Sequence, residues 1–293
     1  MNNGMHIYEY PDAKGIAVIG DVHCHFERLV YKCCLEYKLT DTLIIVAGDC
    51  GFGFFGTGYY VDIYKKLSKR LAECNNWVVF VRGNHDNPAY FDDQQVNYDR
   101  WRAVPDYSVL KACGRTILCV GGAISADRSW RLLKNLGRTV IEGEDETFLP
   151  DVYWSAERPV YDEAKLGAID KQCAVDVVIT HTAPSFCEKQ SQDDIQNWLI
   201  KDKNLGDDIK EERRVMDDIL GYLCAHSHPL QYWFYGHFHE SWHGEIDGVQ
   251  YNMLDVLEIR LLTDSGAQSL PPSEESKKRA ARLAEIAARW PIF

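Results

Sequence analysis

Five short polar clusters, each hanging from the end of an apolar run, constrain this chain more than any other feature: Gly20-Asp21-Val22-His23, Gly48-Asp49, Gly83-Asn84-His85-Asp86, Thr180-His181 and Gly236-His237-Phe238-His239. The runs ahead of them are Ile16 to Ile19, Leu43 to Ala47, Trp77 to Val81, Val175 to Ile179 and Tyr232 to Tyr235. They are rich in β-branched and aromatic residues and short enough to be buried strands. Each strand then presents polar residues at its carboxyl end. In open α/β sheets ligands bind there, so the five segments are expected to converge on one crevice.

The intervening segments complete an α/β pattern. Phe26 to Lys38 carries apolar residues at helical spacing (Phe26, Leu29, Val30, Cys33, Tyr37), as does Tyr60 to Glu73 (Ile63, Tyr64, Leu67, Leu71). The chain up to the third run therefore reads as βαβαβ with a parallel sheet. Two further strands are predicted between Tyr107 and Gly122, and helices over Asp162 to Cys173 and Asp208 to Cys224. Asp247-Gly248 marks a hairpin between Ser241 to Ile246 and Val249 to Leu254, with Leu257 to Leu262 continuing an antiparallel meander.

At 293 residues one large domain is expected over residues 1–265, with loop insertions at about 125–160 and 185–208. A C-terminal helical extension over 271–293 is expected to turn Leu283, Ile286, Ala287 and Trp290 to one face. Gly51 to Tyr60 is a further segment outside the pattern, rich in Gly and aromatics. Such segments beside ligand loops either shape substrate access or form solvated surface.

A net charge of −12 disfavours a protein whose main work is gripping a nucleic-acid backbone, although a local metal site can still hold phosphate. The ten cysteines include no Cys-x-x-Cys pair, so they read as reduced thiols of the core and loops. There is no basic-then-apolar leader and no run long enough to span a membrane. A cytoplasmic location, with no membrane partner, is the default expectation.

By type, the candidate ligands are carboxylates at Asp21 and Asp49, an amide at Asn84, and imidazoles at His23, His181, His237 and His239. This mixed oxygen and nitrogen set suits divalent manganese, iron, zinc, cobalt or nickel, and no thiolate cluster argues for a structural zinc site. Seven ligands exceed one tetrahedral ion. They match two ions sharing a bridging carboxylate, ~3.5–4 Å apart, an arrangement that clamps phosphoryl oxygens and activates water.

Asp-x-His, Gly-Asp, Gly-Asn-His-Asp, a lone His after a strand and Gly-His-x-His, in this order, resemble the calcineurin-like metallophosphoesterase superfamily from about Gly15 to Leu262. The resemblance implies a sandwich of two mixed β-sheets flanked by helices. It implies two divalent metal ions, manganese first, held by Asp21, His23, Asp49 and His239 on one side and Asp49, Asn84, His181 and His237 on the other, with Asp49 bridging. It also implies His85 as general acid for the leaving oxygen, a metal-bound hydroxide as nucleophile, and Asp86 as the residue that orients or tunes His85. The expected activity is hydrolysis of phosphate mono- or diesters, with a nucleotide-like substrate among the candidates.

Departures from the Ser/Thr phosphatase branch narrow this. Cys24 stands where that branch has Gly after the first His, the run Cys50-Gly51-Phe52-Gly53 replaces Asp-Arg-Gly, and Asp86 replaces a Glu. The phosphate-gripping arginine is thus missing from its usual place, leaving Arg128 or Arg131 to supply that contact or simply to be surface charge. Cys24 and Cys50 read as packing residues. His25 reads as solvent-facing or packed, and His226, His228 and His243 have no matching role. Phe52, Phe54, Phe55, Tyr59 and Tyr60 could stack on a nucleobase or cover core. Two alternatives remain: a non-catalytic scaffold, against which every ligand's presence argues, and a nuclease or nucleic-acid phosphatase, for which no basic groove is visible. Oligomeric state is left open.

Overall fold

Strands that are apolar on both faces need a partner layer on each side. The computed structural model, which describes residues 5–278 except 93–94, 140–150, 188, 190–194, 264, 272 and 274–276, shows where those layers lie. The first part of the chain forms β1 (Ile7–Glu9), β2 (Gly15–Ile19), α1 (Phe26–Val30), β3 (Thr42–Ala47), α2 (Thr57–Glu73), β4 (Trp77–Val81), α3 (Ala89–Asp92), β5 (Asn97–Tyr98), β6 (Trp101–Ala103), β7 (Ser108–Ala112) and β8 (Arg115–Val120). Then follow α4 (Arg128–Thr139), α5 (Glu163–Asp170), β9 (Val177–Thr180), α6 (Ile195–Lys201), α7 (Leu205–Ala225), β10 (Tyr232–Tyr235), β11 (Trp242–Ile246), β12 (Val249–Met253), β13 (Ile259–Thr263) and β14 (Gly266–Ser269).

The strands form two mixed seven-stranded sheets. The first runs β14-β13-β2-β3-β4-β6-β5 and is parallel from β2 to β6. The second runs β1-β7-β8-β9-β10-β12-β11 and is parallel from β8 to β12. Ile16, Val18, Leu43, Ile45 and Val79 of the first sheet share a core with Ile117, Cys119, Val177, Ile179 and Phe234 of the second. The alternate residues Ala17, Ile19, Ile44, Val46 and Phe80 pack instead with Phe26 and Leu29 of α1 and Leu67 and Leu71 of α2. On the far side, Leu118, Val120, Val178 and Trp233 meet Leu166 and Ile169 of α5 and Met216, Ile219 and Leu223 of α7. The protein is therefore a helix–sheet–sheet–helix sandwich. Each fully buried large apolar side chain contributes about 1.5–3 kcal/mol, which keeps the strand ends of both sheets in fixed register.

The five runs are strands, and the α/β sandwich is as expected. Three details differ. Leu257 to Leu262 does not extend the meander: β13 crosses to the first sheet and pairs antiparallel with β2, Ile259 opposite Ile19. Without it the fully buried β2 would be an open edge, whereas β11, at the end of the second sheet, is half exposed and needs no cover. The helix begun at Phe26 changes at Tyr31 into a π-helical turn over Tyr31–Glu36, whose wider winding buries both Cys33 and Cys34. The expected insertions are not loops throughout, since α4 lies in one and α6 and the start of α7 in the other. The expected apolar face of the C-terminal extension lies outside the described residues.

Candidate metal centre

All five clusters meet where the two sheets open toward each other at the carboxyl ends of β2, β3, β4, β9 and β10. Backbone bonds lock the first-sheet clusters together: Val22 and His23 donate to Asp49 O (3.1 and 2.8 Å), and Cys24 donates to Cys50 O (2.9 Å). Cross-sheet bonds close the seam, with His237 N donating to Asp21 Oδ1 (3.0 Å) and His181 Nδ1 lying 2.8 Å from Ala47 O. The packing is tight enough that a Cβ on Gly83 would fall 2.1 Å from Asp49 N and 2.2 Å from its Oδ1. Only glycine fits there. His23, Asp49, His237 and His239 all take positive φ (46°, 47°, 70° and 53°), a conformation that costs side-chain-bearing residues energy and clusters at functional sites.

The polar atoms fall into two groups that share Asp49. On the open side Asp21, His23, Asp49 and His239 each offer one ligand atom, all within 4.8 Å of one another, a cluster able to hold a metal ion. His239 Nε2 lies 3.0 Å from Asp21 Oδ2 and 3.0 Å from His23 Nε2. On the buried side His181 Nε2 lies 3.1 Å from Asp49 Oδ1 and 3.0 Å from Asn84 Oδ1, and His237 Nδ1 is 3.0 Å from the same amide oxygen.

These donors fit a cation. The Ala47 carbonyl can only accept, so His181 Nδ1 carries a ring proton, and Nε2 faces two further acceptors, a contact that needs either a second proton or a metal ion at Nε2. Asp21 Oδ2 is fully buried with no aligned hydrogen-bond donor, although His239 is near. Buried acceptors facing one another are tolerated only with positive charge between them. Burial alone would raise Asp49, yet the imidazoles of His181, His85 and His23 hold its carboxyl well below the usual range. Burial would likewise depress His181, but Asp49 and Asp21 raise it to about 10. A proton there takes the place a metal ion fits. His237, buried beside His181, is pushed well down, and His239 is raised by its contact with Asp21.

The buried side has a support that no sequence motif announces. Asn84 Nδ2 donates to Ser125 Oγ (2.9 Å), and Ser125 Oγ donates to Glu157 Oε2 (2.5 Å) while Ser125 N donates to Glu157 Oε1 (3.0 Å). With its hydroxyl proton committed to Glu157, Ser125 accepts from Asn84 and turns the amide oxygen toward His181 and His237. Arg82, at the end of β4, seats this segment by donating to Ala156 O (3.1 Å) and Glu157 O (2.8 Å) and pairing with Asp106 (2.7 Å). Burial raises the Glu157 carboxyl to about 8, against the Ser125 hydrogen bonds that favour its ionised form. Both residues belong to the expected insertion, where lone Ser and Glu residues give no pattern to find.

His85 stands beside the shared carboxylate. Its N–H donates to Asp49 Oδ1 (2.8 Å) and its Nδ1 lies 3.8 Å from Asp49 Oδ2. Burial pushes the ring down to about 4, with Asp49 opposing. Asp86 differs from the sequence expectation: its two oxygens accept from the backbone N–H groups of Cys50 (3.1 Å), Gly51 (2.7 Å), Phe52 (2.9 Å) and Gly83 (2.8 Å). Those bonds tie the second cluster to the third, and among the described residues none joins Asp86 to His85. Of the two arginines, Arg128 is held by Asp202 (2.7 Å) and Asp208 (2.6 Å). Arg131 pairs with Asp127 (2.7 Å). Burial raises the thiols of Cys24 and Cys50, whose sulfurs face Gly51 O and Val81 O, and neither is a metal thiolate candidate. His25 is exposed, and Phe52 and Tyr60 are core, whereas Phe54 packs edge-on to His85.

A sequence model of calcineurin-like phosphoesterases matches residues 15–241, and the chain belongs to that family. No curated protein matches it. Among solved structures it is similar to TT1561 of Thermus thermophilus (15% identity, TM-score 0.45, 85% of this chain and 94% of that one). It is also similar to a phosphopantetheinyl hydrolase from Mycobacterium tuberculosis (16%, 0.39, 89% and 97%) and to a dimetal phosphatase from Danio rerio (14%, 0.43, 89% and 97%). Family membership rests on the sequence match alone.

Proposed function

We propose that the protein is a phosphoester hydrolase working with two divalent cations. Asp21, His23, Asp49 and His239 would hold one, and Asp49, Asn84, His181 and His237 the other, with Asp49 bridging and manganese the first candidate. The observation that carries this reading is the convergence of Asp49 Oδ1, Asn84 Oδ1 and His181 Nε2 on one buried point. When bound, such cations supply Lewis-acid charge for the phosphoryl oxygens and an activated water. The chain's own groups do the rest. Asn84 contributes an oriented amide, and the rigid strand ends hold the proposed ligands in place.

His85 is proposed as the proton donor to the leaving oxygen. Its low pKa belongs to a site without substrate; an anionic phosphate beside the ring favours imidazolium, the ring taking its proton from solvent. Among the described residues none of the ten cysteines forms a disulfide, which supports a reducing compartment, the cytoplasm. No described helix is long and apolar enough to cross a membrane.

Protein stripped of metal and reloaded with Mn²⁺ is expected to hydrolyse phosphate mono- or diesters; inactivity on both overturns the reading. His85→Ala should cost ~10²–10⁴-fold with alkyl leaving groups and far less with nitrophenol, which leaves without a proton. Equal losses on both would remove His85 from the acid role.

A further inference from the structure

Three of the proposed ligands, Asn84, His181 and His237, have neighbours that converge on one place in α7. Glu212 and Arg213 sit there side by side, 3% and 5% exposed. Glu212 Oε1 accepts from Thr182 Oγ1 (2.6 Å), and its Oε2 accepts from Ile124 N. Thr182 follows His181 directly, and Ile124 precedes Ser125, the residue that orients Asn84. Arg213 Nη1 donates to the same Thr182 hydroxyl oxygen (3.4 Å), and Nη2 donates to Cys187 O (2.8 Å). Its guanidinium lies over the ring of Phe238 (5.2 Å from the centroid), and that ring stands edge-on to the imidazole of His237 (4.9 Å, 74°).

We propose that Glu212 and Arg213 are positioning residues for the buried cation site, holding His181, His237 and Asn84 in place through Thr182, Phe238 and Ile124. The inference rests on the two-cation reading and adds to it a brace outside the five clusters. Neither residue is a ligand itself: a guanidinium has no lone pair to offer, and both Glu212 oxygens already accept. Nor does α7 need them to stay on its sheet, since Val215, Met216, Ile219 and Leu223 supply that apolar contact. For packing alone, apolar side chains of similar volume often serve as well or better, because buried charges carry a desolvation cost. That cost shows at Arg213 Nε, which is buried and makes no hydrogen bond among the described residues. What the pair supplies is direction. An arginine can only donate, so Thr182 Oγ1 accepts from Arg213 and gives its own proton to Glu212, which leaves the hydroxyl one orientation. The peptide between His181 and Thr182 is thereby fixed, and its carbonyl accepts from the N–H of Gly236 (3.2 Å), the residue before His237. One buried charge pair thus sets the spacing of the two histidines that follow β9 and β10.

The test is Mn²⁺ titration of the metal-free full chain, read by calorimetry, for wild type, Thr182→Val, Thr182→Ser and Arg213→Met. Thr182→Val keeps the shape of the side chain and removes the hydroxyl that both charged groups share. It should weaken the tighter of the two ions about 10–100-fold, the range for losing a metal ligand's own support, with little change at the weaker one. Thr182→Ser keeps the hydroxyl and should keep most of the affinity. Arg213→Met should weaken the same ion as Thr182→Val. Thermal unfolding of the metal-free variants separates positioning from plain loss of stability. A lowered midpoint with both affinities unchanged overturns the proposal, and so does weakening of both ions by one common factor. If Arg213→Met does not fold, the two Thr182 variants decide alone. Wild type that takes up fewer than two Mn²⁺ overturns the two-cation reading instead, and the brace falls with it.

Discussion

The two sides of the candidate metal centre are built differently. Asn84, His181 and His237 are buried, and the His181 ring and the Asn84 amide are each held on the side away from the centre, by Ala47 O and by Ser125. On the open side the His23 and His239 side chains are 25% and 49% exposed and lean mainly on each other and on Asp21. The buried half is organised before any cation arrives, because its groups have no water to turn to. The open half draws its order from one buried carboxylate and from whatever binds there. An ion in the buried half should therefore bind more tightly and exchange more slowly.

The largest expected contrast is between His181→Ala and His239→Ala. The first removes a buried ring that bridges the two sheets, so it should lower the stability of the metal-free protein by about 2–4 kcal/mol and abolish tight metal binding. The second removes a half-exposed ring, so it should change stability by less than about 1 kcal/mol and weaken only the more loosely held ion. Thermal unfolding with and without Mn²⁺ checks both, and equal losses would erase the distinction between the halves.

Ser125→Ala sharpens the same contrast on one side. Without the hydroxyl the Asn84 amide loses its orientation, and affinity in the buried half should fall about 10–100-fold, as when a metal ligand's own hydrogen-bond partner is removed. The open half should hardly respond. Glu157 gives an effect of another kind, read as a pH dependence. Its folded-state pKa of about 8 lies above the ~4.3 of an unfolded glutamate. Between those values the folded protein keeps a proton that the unfolded chain has released, so this group's contribution makes stability fall as pH rises through the window. Glu157→Gln should flatten that part of the slope in the metal-free protein, by at most roughly 1.4 kcal/mol per pH unit. A difference between variant and wild type that does not change with pH would contradict it.

Much of this was legible in the residues. The strand runs announced themselves because parallel strands buried on both faces must be continuously apolar, and the proposed ligands Asp21 and His237 follow the strand ends directly. Other features were not. The role of Asp86 is invisible in Asn-His-Asp, since a carboxylate that accepts four backbone donors looks the same in sequence as one that tunes a histidine. Ser125 and Glu157 reach Asn84 through tertiary contacts, with Arg82 seating the Glu157 segment, and no spacing rule lies behind them. The crossing of β13 to β2 was hidden because a meander and a sheet switch have the same local pattern. Helix α4 had the apolar spacing of Trp130, Leu133 and Leu136, yet these side chains stay exposed, so polarity dominated that segment.

The central claim is that one shared carboxylate joins two cation sites of unequal strength. Counting bound Mn²⁺ per chain by metal analysis during a titration, for wild type and Asp49→Asn, tests it most directly. Two ions per chain, taken up in two separable steps, with both weakened together by the single substitution, is the expected result. One ion per chain, or a variant that loses one ion and keeps the other at full affinity, would contradict it.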